Sequence, residues 1–98
     1  MTELRLISMA TKVRIDPQVA WRDLDGHVFA VTPDNRQHEL AGGVESLVWH
    51  CLEDAASSVE DLTRRVTESF DVQAEVAGSD LLEFVAVCLD AKLFQIVE

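Results

Sequence analysis

The side chains of this 98-residue chain that could do chemistry are three histidines, two cysteines and 18 carboxylates, and their spacing decides what they could do. His27, His38 and His50 fall on two predicted strands and a helix, with no two at metal-ligand spacing. His50 and Cys51 are neighbours, but successive helical positions point about 100° apart, so they form no nucleophile–base pair. The carboxylates fall on exposed helical positions, where a solvated face is the ordinary reading. Gly42-Gly43 stands alone before a helix and suits a tight turn better than a phosphate cradle. Cys51 and Cys88 lie on apolar helical stripes and make no CxxC pair, which reads as buried free thiols in a reducing compartment. The chain is therefore expected to be no enzyme, to bind no metal and to need no cofactor.

Charge narrows the partners. The formal net charge is −10, and residues 37–98 supply all of it: three basic groups (Arg64, Arg65, Lys92) stand there against 13 acidic ones. Residues 1–36 balance five against five. A nucleic-acid binder neutralises phosphates with Lys and Arg, so this charge argues against DNA and RNA as partners and favours a basic or neutral one. A charged surface that only keeps the protein soluble is the plainer alternative. No apolar run approaches the roughly 18–20 residues that span a bilayer, and the first residues lack the long apolar core of a secretory signal. No membrane is expected, and the setting is expected to be cytoplasmic.

These side chains need elements to hold them. Residues 1–13 show no sustained period and are expected to be an N-terminal tail or a short edge segment, with one domain over residues 14–98. Val19–Leu24 and His27–Val31 are apolar-rich runs separated by Asp25-Gly26, the strongest short hairpin signal a sequence offers. Thr32-Pro33-Asp34-Asn35 is a second turn, and the short polar run Arg36–Leu40 completes a three-stranded meander as its edge.

Val44, Leu47, Val48, Cys51 and Leu52 then recur at helical spacing. Trp49 lies off that stripe and is read as closing the core against the sheet in preference to anchoring a partner. Ser57-Ser58-Val59-Glu60 carries a capping-box signature, with Ser57 at the cap, and Val59, Leu62, Val66 and Phe70 mark a second helix. Asp71–Gly78 reads as a loop, and Ser79 or Asp80 as the cap of a last helix running to Ala91. That helix is apolar nearly all round: Leu81, Phe84, Val85 and Cys88 make one stripe, and Leu82, Ala86, Val87 and Leu89 lie outside it. A helix of this kind is either buried on several sides or keeps a face for a partner. Three strands followed by three helices define an α+β domain.

The Asp25-Gly26 hairpin, the Leu40 before a helix carrying Trp49, the Ser58-Val59-Glu60-Asp61-Leu62 segment and the run Asp80-Leu81-Leu82-Glu83-Phe84-Val85, ending in Lys92-Leu93-Phe94, resemble the PqqD family. These small domains are also known as precursor peptide recognition elements of RiPP (ribosomally made, modified peptide) pathways. The likeness covers about residues 14 to 97 and implies a winged-helix-like fold. It implies a groove between the third strand's outer edge and the last helix, where a precursor's leader peptide adds as an extra strand and is presented to a modifying enzyme. On that resemblance Arg36, Gln37, His38, Glu39 and Leu40 supply the pairing edge, and Leu82, Phe84, Val85 and Cys88 line the groove or its floor. The same elements admit two other readings. One is a structural or dimerisation module, since an open edge suits a strand-exchanged homodimer. The other is a winged helix-turn-helix DNA-binding regulator, for which Arg64 and Arg65, flanked by acids, are the only candidates.

Overall fold

A computed structural model describes residues 7–97. Its strands follow from turn chemistry. Asp25 and Gly26 take the left-handed conformation at φ 55° and 85°, which closes a two-residue hairpin between β2 (Ala20–Leu24) and β3 (His27–Val31). The second turn places Asn35 at φ 65° and returns the chain as β4 (Gln37–Leu40). The meander is antiparallel, in the order β2-β3-β4, with Trp21 opposite Ala30 and Ala30 opposite His38. Alternation sends Val28, Ala30 and Leu40 inward and leaves Phe29 and Leu24 exposed.

Three helices follow: α1 (Gly43–Asp54), α2 (Val59–Ser69) and α3 (Ala74–Asp90). Trp49 of α1 sits at the centre, fully buried. Its ring meets Trp21 edge-on at 5.7 Å and Phe94 at 5.8 Å, so the core reading of Trp49 is correct. Val13, Val48, Leu62, Val66, Leu81, Val85 and Leu89 complete the same cluster. The fold is α+β, as expected.

The remaining strands depart from the sequence reading. β1 (Lys12–Ile15) is the middle of a second small sheet, between β5 (Ser57–Ser58) and β6 (Phe94–Ile96). Val13 is wholly buried there, opposite Ser57 on one side and Ile96 on the other. An N-terminal tail through residue 13 is therefore too long. Among residues 7–13, the Met9 and Thr11 carbonyls also accept from Glu60 and Val59 N–H at the start of α2. The tail expectation for residues 1–6 lies outside the described residues.

Two helix starts also shift. The cap of α2 is Ser58, one residue later than expected, and its hydroxyl accepts from Asp61 N–H at 3.1 Å. The last helix begins at Ala74, so Ala74–Gly78 is helix and not loop, and Ser79 and Asp80 lie inside it. Gly78 lies within this helix, packed beside the N-terminal segment, where a Cβ would make ordinary contact with the Met9 methyl at 3.4 Å. The helix ends in a Schellman turn: Leu93 N–H donates to Cys88 C=O at 2.9 Å, Lys92 N–H to Leu89 C=O at 3.2 Å, and Lys92 takes φ 68°.

Candidate functional site

β4 is an edge, and its hydrogen bonds show which of its groups are free. Thr32 N–H donates to Arg36 C=O at 3.0 Å, which makes Thr32 and Arg36 a hydrogen-bonded pair. In an antiparallel ladder such pairs alternate with non-bonded ones. The register therefore makes Ala30–His38 and Val28–Leu40 bonded pairs, and Val31–Gln37 and Phe29–Glu39 non-bonded pairs. Of the five expected edge residues, Gln37 and Glu39 turn their backbone N–H and C=O away from β3. Arg36, His38 and Leu40 turn theirs toward it. The side chains divide the other way: Leu40 is buried and His38 half-buried on the core side, while Gln37 and Glu39 are exposed on the outer face. Glu39 is held there by His27 Nδ1 at 2.8 Å.

The four expected groove residues on α3 also divide. Val85 and Cys88 are buried core. Burial, with a smaller contribution from the Glu45 charge, pushes the Cys88 thiol up to about 12, so it stays neutral and unreactive. Leu82 and Phe84 are half-buried against that core, with Phe84 edge-on to Phe94 at 6.1 Å. Val85 and Cys88 are thus closed off in the core, and Leu82 and Phe84 remain within reach of the surface.

Phe84 belongs to a cavity that the sequence did not announce. A cleft of about 350 Å³ opens between the helices, walled by Val44, Val66, Phe70, Val72, Leu81 and Phe84, with Glu45 and Asp80 as its charged residues. Phe70 is 38% exposed at its side, just past the end of α2. Phe70 and Val72 come together with α3 because that helix starts at Ala74; an expected loop to Gly78 hid the arrangement. Only two residues separate β4 from α1, so Val44 and Glu45 set this cleft beside the end of the free edge.

A second constellation joins the meander to α1. His50 Nε2 lies 2.5 Å from an Asp23 carboxylate oxygen and Nδ1 lies 3.0 Å from Glu53. Both partners are carboxylates that accept, so the two bonds are made together when the ring carries both protons. Glu53 first, and Asp23 beside it, raise the His50 pKa above its ordinary value. His50 in turn, with the Gly26 N–H, lowers that of Asp23. Among the described residues no group of three or more His, Cys, Asp and Glu side chains could hold a metal ion, and no helix is long and apolar enough to cross a membrane.

A meander whose last strand is a polar free edge, joined to a three-helix layer whose last helix is apolar on more sides than the core uses, defines a class of small α+β domains. Residues 44–93 match the model of the family described as Coenzyme PQQ synthesis protein D (PqqD). That match takes in half of the chain, from the first turn of α1 to the residue before β6, and the chain belongs to the PqqD family. No curated relative matches it. Among solved structures, the complex of TbiB1 with the TbiA(beta) leader peptide has the same fold, with a TM-score of 0.77 over 84% of this chain and 94% of that one at 19% identity.

Proposed function

We propose that this chain is a non-catalytic domain that captures the leader segment of a precursor peptide by strand addition on the outer edge of β4, and presents it to a modifying enzyme. The observation that carries the reading is the pair of outward-facing backbones at Gln37 and Glu39 on an edge strand, in a domain whose last helix keeps Leu82 and Phe84 within reach of the surface. An added strand takes its affinity from such main-chain groups and its specificity from neighbouring pockets. Membership of the PqqD family supports it, as does the fold shared with a protein solved with a leader peptide bound. Arg36, His38 and Leu40 fix the edge by pairing inward. Leu82 and Phe84 offer apolar contact above the buried Val85 and Cys88.

The test begins with recovery of the tagged chain from its own cells, using mass spectrometry that retains short peptides together with large partners. A recovered peptide is then titrated against Gln37→Pro and Glu39→Pro, each of which removes one outward N–H and leaves the β3–β4 ladder intact. Each substitution is expected to lower affinity by at least about tenfold with the thermal melt preserved. Binding indifferent to both prolines would sink the edge reading. β2 is the meander's other free edge, so a strand-exchanged dimer is the competing reading, and light scattering that finds a dimer without peptide would favour it.

A further inference from the structure

The cleft between the helices is lined by one sign of charge only. Its walls are apolar, from Val44, Val66, Phe70, Leu81 and Phe84, and its charged groups, Glu45 and Asp80, are both acidic, with no Lys or Arg among the lining residues. Glu45 is drawn across toward the edge strand: a Cβ on Gly42 would meet its Oε1 at 3.0 Å, so the carboxylate lies against the short link from β4. Asp80 stands on α3 across the cleft and is exposed. Phe84 is fixed from behind by Phe94, and the Phe70 ring lies so near Gly43 that a Cβ there would approach it to 3.2 Å. The apolar walls are therefore held in place, and Phe70 in particular lies over a position with no side chain.

We infer that this cleft is an anchor site for a peptide side chain that is bulky and apolar and is followed or preceded within about three residues by Lys or Arg, the anchor entering the walls and the cation meeting Glu45 and Asp80. This rests on the strand-addition reading and adds to it the chemistry of the client. The occupant is a peptide because only Ala41 and Gly42 separate the end of the free strand from α1, whose first turn brings Val44 and Glu45 to the cleft, within reach of a segment paired to that strand. It is a cationic one because carboxylates with no basic neighbour in the lining repel an acidic segment and attract a basic one. A strand that pairs antiparallel to β4 runs past Leu40 with its N-terminal end toward the cleft, so the anchor precedes the paired segment.

The experiment is selection of a random peptide library on the immobilised full chain, followed by fluorescence anisotropy on one enriched peptide. Enriched sequences should share a Leu, Ile, Met or aromatic residue with Lys or Arg within about three positions. Replacing that apolar residue by Ala should weaken binding at least about tenfold. Glu45→Gln, at a half-buried position, with Asp80→Asn, at an exposed one, should weaken it about threefold to tenfold at low salt and flatten its salt dependence. Ala77→Leu, which fills the cleft from its floor, is a second variant, used with circular dichroism as the control for folding. Peptides that lose binding with Gln37→Pro and Glu39→Pro but ignore both cleft variants would overturn the anchor site and leave strand addition standing. Peptides enriched without a cation, or with acidic flanks, would also overturn it. Binding that survives the prolines, or no enrichment at all, would remove the reading beneath it. A dimer that Asp80→Asn dissociates would assign the cleft to a second copy of the chain.

Discussion

His50 is the residue whose protonation the fold uses. Its charged form is held by Glu53 and Asp23, so its folded-state pKa lies above the 6.5 of a free histidine. A raised pKa means the stabilisation is fully present below that ordinary value and is lost as pH rises through the folded one. The protein should therefore melt at a lower temperature at about pH 8 than at about pH 6, and His50→Gln should remove most of that difference. Asp23 works in the opposite direction: its pKa is lowered, so its share is present above the carboxylate range and disappears as acid protonates it. A pH-independent melt in the wild type would show that the pair is solvated apart. Lys92 gives a second test at this scale. It occupies a left-handed position where any side chain is strained, at φ 68°. Lys92→Gly should raise stability by about 1 kcal/mol, which calorimetry would read as a rise of about 4–8 °C for a domain of this size.

Among the elements, β1 decides most. Val13 is fully buried between two partners that lie far away in sequence. A chain begun at Arg14, as an N-terminal tail through residue 13 would invite, should lose its cooperative melt in far-ultraviolet circular dichroism, and Val13→Ala should cost about 2 kcal/mol. What the sequence disclosed and what it hid divide along physical lines. The hairpin was legible because Asp25-Gly26 has a single conformational use, and α1 because its stripe is sustained over three turns. β1, β5 and β6 hold four, two and three residues, too few for alternation to rise above chance, and each exists only because the others pair with it. The start of α3 was misread for a different reason. Its true cap, Gln73, makes no side-chain hydrogen bond, while Ser79 and Asp80 look like a cap and Gly78 like a breaker. Tertiary packing against Met9 overrode that local signal. That the third strand of the meander is an edge was legible by position, but which of its residues face outward depends on ladder phase, and the cleft depends on where α3 begins.

For the whole molecule the dominant quantity is the net charge of −10, gathered on the helical half. Long-range attraction acts on encounter more than on residence. A peptide carrying Lys or Arg should associate about tenfold faster at low ionic strength than at about 0.15 M, with dissociation changing little, in stopped-flow fluorescence. An association rate indifferent to salt would confine the acidic surface to solubility.

The second small sheet sets when this protein can exist at all. β1 near the start is completed by β6 at the far end, with Val97 N–H donating to Lys12 C=O at 2.9 Å. During synthesis the meander can close as soon as it leaves the ribosome, since its contacts are local. The central core cannot: Phe94, which packs on Trp49 and Phe84, arrives last. A nascent chain therefore carries an open strand edge before it has a finished helical layer beside it. That interval is when β4 would pair with the wrong strand, and its polar residues and the charge of Glu39 guard against that outcome.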